Sequence, residues 1–436
     1  MKVAVIGTGY VGLVQAACLA DLNNEVVAID NDSKKIKKLK QGIMPIYEAG
    51  LEDLVTRNVT EGRLKFQTEI NQINGSEAIF ICVGTPPEPN GKPNLDYVEN
   101  VAKQIGDNLK HYAVIVEKST VPVRTADWMK LILRNKLASS DFDIAVNPEF
   151  LREGTAVKDF YNPDRIVIGT DSEKAVGILT KLYKPLNSQF LHTDMESAEL
   201  IKHGSNAFLA MKISYANLIS RLCEKTGADI QTVMKGIGLD KRIGEDFFKA
   251  GIGYGGFCFP KDLGAFVSVL EEYDIDASLL KSVAKINEDQ VQYFAGKIVE
   301  KLGNPEKYYS LEGKKIAILG LAFKPGTDDM RLAPSIPLIE QLKSYNASIS
   351  AYDPKAIENA KKIDSLKDIY FAKDSYDAIK NSNAVVIATE WPEFSKLDLS
   401  KIKEHTNYIF DGRNIFSPER MKALKFNYYS IGRKPA

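Results

Sequence analysis

The chain has 436 residues, 57 basic and 57 acidic, so its formal net charge is zero, and 44% of it is hydrophobic. That length suffices for two or three domains with cores of their own. A neutral balance excludes the electrostatic footprint of a nucleic-acid or membrane-surface binder. No apolar run in the sequence is long enough to span a bilayer. The four cysteines, Cys18, Cys82, Cys223 and Cys258, are widely spaced and form no Cys-x-x-Cys pair. Neither a disulfide framework nor a metal site is therefore expected. The chain opens directly on a strand with no recognisable signal peptide, and a reduced, cytoplasmic protein is expected.

Residues 2–6 read as a short apolar strand. Gly7-Thr8-Gly9-Tyr10-Val11-Gly12 follows, then a helix over 13–23 and a second strand over 25–29 ending in Asp30. This is the dinucleotide fingerprint in the setting it requires. Gly7 makes the tight turn, Gly9 lets a pyrophosphate approach the backbone, and Gly12 lets helix and strand pack closely. The helix N-terminus attracts the phosphate charge. Asp30 suits a ribose 2′-hydroxyl and repels a 2′-phosphate, so NAD is expected, not NADP. The lysine-rich run 34–40 reads as a solvated helix face.

Three more apolar strands end in polar turns. Residues 78–83 lead into Gly84-Thr85-Pro86-Pro87, and 112–117 into Lys118-Ser119-Thr120-Val121-Pro122. Residues 142–146 lead into Asn147-Pro148-Glu149-Phe150-Leu151-Arg152-Glu153-Gly154. In an open parallel sheet ligands gather beyond the carboxyl ends of the strands, so Thr85, Ser119, Thr120, Glu149 and Glu153 should converge on one crevice. Ordinary turn chemistry explains each of them taken singly. Residues 164–169 read as the last strand of this domain. Cys18 and Cys82 read as core.

From 195 to 224 the chain shows long helical periodicity without proline, as expected of a helix joining two domains. Lys202 and Asn206 are four apart and share a face. A lysine on a helix is ordinarily solvated, but the apolar neighbours of Lys202 lead to the expectation that it points into a cleft with a perturbed pKa. His203 beside it has no carboxylate at local spacing and reads as structural, as does Cys223. Arg242 and Lys249 are placed to neutralise phosphate. A helix over 276–302 closes this region.

Between these helical segments lies Gly251-Ile-Gly-Tyr-Gly-Gly-Phe-Cys258-Phe-Pro260-Lys261-Asp262. Its glycines let the backbone approach a ligand closely. Pro260 is favoured at the first position of a helix, which would set Cys258 just ahead of the N-terminus. The helix start and Lys261 both favour the thiolate. Asp262 suits the first turn and can handle a proton or a water.

Residues 313–320 restart the opening pattern, and 347–352 end in Asp353-Pro354, echoing Asp30. A second α/β half of similar layout is expected, without the glycine fingerprint. Its last strand reads as 408–410. Lys324, Arg331 and Arg413 stand at strand ends, where a second anion such as a diphosphate would bind.

An NAD site alone serves alcohol oxidation. An activated thiol is needed when an aldehyde is carried on to an acid, through a hemithioacetal and a thioester. At these residues the sequence resembles the UDP-glucose 6-dehydrogenase family, within the wider UDP-sugar and GDP-mannose dehydrogenases. The resemblance runs from the Gly7–Gly12 fingerprint through Asn147–Gly154 and Gly255–Asp262 to Asp411-Gly412-Arg413. Where the family usually has a small residue, often Ser, this chain has Phe257. The Phe at position 259 favours UDP-glucose.

The resemblance implies an α/β fold with two Rossmann-like doubly wound domains joined by a long central helix and a helical middle region. The expected divisions are an NAD-binding domain over 1–194, a central dimerisation region carrying the cysteine loop over 195–303, and a UDP-sugar-binding domain over 304–436. It implies four-electron oxidation of UDP-glucose to UDP-glucuronate with two NAD⁺. Cys258 is then the nucleophile, and Lys202 and Asn206 stabilise the oxyanion, Lys202 also taking the hydroxyl proton. Asp262 holds a water, and Glu149 with Thr120 activates water for thioester hydrolysis. Gly7, Gly9, Tyr10, Val11, Gly12, Asp30, Lys35, Thr85, Thr120, Glu153 and Arg331 would line the NAD site. Glu149, Phe150, Leu151, Arg152, Glu153, Lys202, Asn206, Arg242, Lys249, Gly251, Gly253, Tyr254, Gly255, Lys324 and Arg413 would hold the UDP-sugar. Arg242 would reach a neighbouring subunit, so a homodimer or higher homo-oligomer is expected. The alternatives are the same reaction on GDP-mannose or a UDP-hexosamine, a two-electron hydroxyacid-type dehydrogenase, and a non-catalytic NAD-binding protein.

Overall fold

The computed structural model describes residues 1–88 and 92–435. They form two compact units, each made of two stretches: Met1–Ser205 with Gly264–Asp274, and Asn206–Leu263 with Ile275–Ala436.

The first unit holds β1 (Lys2–Ile6), β2 (Glu25–Ile29), β3 (Leu64–Gln67), β4 (Ala78–Ile81), β5 (Ala113–Glu117), β6 (Phe142–Val146), β7 (Ile166–Gly169) and β8 (Phe190–Thr193). Their order is β3-β2-β1-β4-β5-β6-β7-β8. Every pair is parallel except β6 and β7, which meet antiparallel through Val146 and Gly169. Parallel sheets are covered on both faces, so central strands must be apolar throughout; Ile79, Phe80 and Ile81 of β4 and Val114, Ile115 and Val116 of β5 are fully buried. The strand order reverses between β1 and β4, the topological switch point where a dinucleotide binds.

The second unit holds β9 (Lys315–Leu319), β10 (Ser348–Tyr352), β11 (Tyr370–Phe371), β12 (Ala384–Ile387), β13 (Tyr408–Asp411) and β14 (Asn427–Ser430). All are parallel, in the order β11-β10-β9-β12-β13-β14. It is the same winding, so the expected second α/β half is present. The central helix is continuous over Met195–Thr226.

Two strand expectations need correction. Residues 164–169 do not close the first sheet, because β8 lies beyond β7, and 408–410 do not close the second, because β14 lies beyond β13. Both added strands sit at sheet edges and lack the run of β-branched residues that marks a buried strand; β8 has no buried residue at all. Among the described residues no helix is long and apolar enough to cross a membrane.

Candidate active site

In the first unit the fingerprint glycines stand as the motif requires. Gly7 has φ +96°. A Cβ on Gly12 would overlap the Gly7 carbonyl oxygen and lie 3.0 Å from Cβ of Cys82, so only glycine fits between helix and sheet. A Cβ on Gly9 would meet nothing within 4 Å, so its backbone faces open space. The helix it caps, Tyr10–Asp21, has no side-chain cap and no acidic residue in its first turn. Its leading amides are thus left for an anion. Asp30 Oδ2 accepts from Thr8 N at 2.9 Å, Thr8 Oγ1 at 2.8 Å and Lys35 Nζ at 2.8 Å. Burial pushes this carboxyl upward, but Lys35 and the Asp32 and Thr8 donors outweigh it and hold the group below its ordinary value. These residues fit an NAD pyrophosphate and ribose.

The strand exits also meet. Thr85 Oγ1 donates to the Thr120 carbonyl at 2.9 Å. The turn after β6 brings Glu149 to the central helix: Lys202 Nζ lies 3.0 Å from Glu149 Oε1 and 2.6 Å from its carbonyl oxygen. Leu151 N donates to Glu149 Oε2 at 2.6 Å. Both side chains of this ion pair are buried. The Arg152 side chain is forked onto Asp159 at 2.6–3.0 Å and is more than half exposed.

In the second unit Cys258 is the first residue of the helix Cys258–Glu272. It therefore stands in the first turn, not ahead of it, and Pro260 is the third helical residue. One turn on, the fully buried Asp262 accepts from Asn206 Nδ2 at 2.6 Å and pairs with Lys261 Nζ at 2.7 Å. The glycine loop before Cys258 is buried and held through its backbone. Gly251 N donates to Asn217 Oδ1 at 2.8 Å, Gln290 Nε2 to Gly251 O at 2.9 Å, and Tyr254 N to Asn287 Oδ1 at 2.8 Å. Gly256 has φ +78°, and its amide donates to Arg331 O at 2.9 Å. Arg413 donates to Ala388 O and Gly253 O at 2.8 and 3.1 Å, while its Nη2 is buried without a hydrogen-bond partner. The same guanidinium also pairs with Glu390, its Nε 3.3 Å from Oε2.

Three comparisons bear on these features. Family models described as the NAD binding, central and UDP binding domains of the UDP-glucose/GDP-mannose dehydrogenase family match residues 1–187, 196–289 and 317–418. The chain belongs to this family. It is an NAD-dependent dehydrogenase. It is 45% identical to the "UDP-glucose 6-dehydrogenase TuaD" of Bacillus subtilis (strain 168), covering 99% of this chain and 93% of that one. It is 43% identical to a UDP-glucose 6-dehydrogenase of Rhizobium meliloti (strain 1021), covering 99% and 100%. Among solved structures, a UDP-glucose dehydrogenase from the archaeon Pyrobaculum islandicum is similar at a TM-score of 0.89 and 36% identity, covering 98% and 96%.

Within this dehydrogenase, several residues escaped sequence reasoning. Glu48 is buried and accepts from Ala156 N at 2.8 Å, Gly154 N at 2.7 Å and the Tyr10 hydroxyl, so it pins the loop after Glu149 to the fingerprint helix. Asn217, Asn287 and Gln290 hold the glycine loop. His203 has the structural role expected: Nε2 meets Val121 O at 2.7 Å and the ring stacks on Phe266. Cys18, Cys82 and Cys223 are buried, and burial pushes the first two thiols up to about 12.

Proposed function

We propose that this dehydrogenase oxidises UDP-glucose to UDP-glucuronate in two hydride transfers, each to one NAD⁺. NAD⁺ supplies the hydride acceptor; the chain's own residues do the rest. Lys202 takes the proton of the sugar 6-hydroxyl as the first hydride leaves. Cys258 Sγ adds to the resulting aldehyde carbon, and Lys202 with Asn206 carries the oxyanion. Loss of the second hydride leaves a thioester on Cys258. Glu149, assisted by Thr120, takes a proton from water, which attacks the thioester carbon and releases Cys258. Asp262 holds that water.

The observation that carries this reading is the Cys258 turn. A thiol opens a 15-residue helix directly after a buried glycine loop, one turn from a carboxylate hydrogen-bonded to Asn206. A helix N-terminus stabilises negative charge on sulfur. The reading keeps the cofactor and substrate residues named above, including Arg331 for NAD and Lys324 and Arg413 for the UDP-sugar, and residues 195–303 as the middle region. A reducing, cytoplasmic setting belongs to it, because the nucleophile must remain a thiol.

A homodimer is supported by the central helix. Phe208, Tyr215 and Leu222 recur every seven residues, with Leu218 between, and are 55%, 45%, 58% and 47% exposed. Such a repeat is what one helix offers to a copy of itself. The Arg242 side chain is 89% exposed, as reaching a neighbouring subunit requires.

The test is purified protein with NAD⁺ and a panel of UDP-glucose, GDP-mannose and UDP-N-acetylhexosamines, following NADH. UDP-glucose should turn over fastest. A faster rate on another sugar overturns the substrate, and NAD binding without any sugar oxidation overturns the enzymatic reading.

A further inference from the structure

Lys118 follows β5 and is 6% exposed, yet it takes no part in the steps above. Its Nζ donates to Asn147 Oδ1 at 2.9 Å. The same oxygen accepts the Tyr183 hydroxyl at 2.7 Å, which in turn accepts Gln15 Nε2 at 2.7 Å. Asn147 Nδ2 donates to Val167 O at 2.7 Å. Asn147, Tyr183 and Gln15 are all nearly inaccessible. Asn147 opens the turn that carries Glu149 two residues on, so this network fixes the strand exit from which Glu149 reaches Lys202.

The network is more expensive than the task of holding a turn demands. A neutral donor would satisfy Asn147, whereas an ammonium loses its hydration when buried. Burial is the first cause pushing the Lys118 amine down to about 8; the Glu149 charge opposes this, the Lys202 charge adds to it, and the Cys82 thiol also lies beside it. Those three groups and the Tyr183 ring, 5.7 Å from Nζ, are the titratable groups facing it among the described residues. Cys82 and Tyr183 are both pushed upward by burial, so they stay neutral. Glu117, next in the chain, is raised by burial first and by the Glu199 charge second.

We propose that Lys118 is a positioning residue for the reaction: a buried cation that orients the Asn147–Glu149 turn and, by its charge, favours release of the proton from Lys202. This rests on the roles given to Glu149 and Lys202 above. Two lysines and one carboxylate share a buried region. Removing one cation makes the remaining lysine easier to protonate, so Lys202 holds its proton to higher pH.

The test uses Lys118→Gln, which keeps a donor for Asn147 and loses the charge, and Lys118→Arg, which keeps both. Two readouts are taken on the full chain. One is the pH profile of kcat with UDP-glucose and NAD⁺. The other needs no substrate: the pH dependence of Lys202 acetylation by acetic anhydride, read by mass spectrometry. In Lys118→Gln the acid limb of kcat and the acetylation midpoint should both rise by about one pH unit, and Lys118→Arg should return them towards wild type. If Lys118→Gln lowers kcat at every pH with both midpoints unmoved, Lys118 is only structural and the proposal fails. If wild type does not oxidise UDP-glucose, the functional reading fails, while the acetylation midpoint still decides the electrostatic claim. Should Lys118→Gln not fold, Lys118→Met supplies the same charge deletion, and the same two midpoints decide.

Discussion

Cys258 and Asp262 are legible in the sequence because a glycine run and a helix start announce them together. Glu48 is not. It stands alone in a stretch without helix or strand periodicity, and its three donors come from Tyr10, Gly154 and Ala156, two of them more than 100 residues away. Lys118 and Asn147 sit in two different strand-end turns, after β5 and β6, whose compositions are ordinary, and only burial shows what they hold. Two outcomes belong to this scale. Cys258→Ala should abolish acid product while NAD⁺ binding by calorimetry stays within about twofold, since the fingerprint is untouched; near-normal turnover would mean the thiol is structural. Asn206→Ala leaves Asp262 without its 2.6 Å donor. Loss of a hydrogen bond to a buried charge should cost about 1–3 kcal/mol in urea unfolding, with a fall in kcat of about 10²-fold or more. An unchanged kcat would remove Asn206 from the oxyanion role.

At the scale of elements, interior strands could be read from apolar runs, while β3, β8, β11 and β14 could not. All four are short edge strands, and β14, Asn-Tyr-Tyr-Ser, also alternates too weakly to stand out. Edge strands need less apolar sequence because one side is unpaired. Gly256 shows how tightly the cysteine loop is set: at φ +78° its Cβ would stand 2.8 Å from the Phe323 ring. Gly256→Ala should therefore lose roughly 1–3 kcal/mol of stability and more activity than that loss explains.

Glu117 ends β5 fully buried and is pushed well above the ordinary carboxylate range, first by burial and second by the Glu199 charge. Between the ordinary value, about 4.3, and the raised one, the folded chain keeps a proton that the unfolded chain has lost. Its stabilising contribution is thus complete at low pH and lost as pH rises through the folded-state value. Glu117→Gln, neutral throughout, should melt close to wild type at pH 5 and above it at pH 8. An equal difference in Tm at both pH values would contradict this linkage.

For the whole molecule, the two α/β halves were foreseeable because 313–320 repeats the opening strand pattern, although the second half lacks the glycine fingerprint. The exposed seven-residue stripe on the central helix was hidden, since sequence periodicity does not say which apolar face stays uncovered. If that stripe joins two copies, Phe208→Glu with Leu222→Glu should shift the sedimentation coefficient to that of a monomer, and an unchanged coefficient would place the interface elsewhere. The account as a whole depends on one ratio. NADH formed per UDP-glucose consumed should be two, with UDP-glucuronate as product and no free aldehyde; a ratio of one would contradict it.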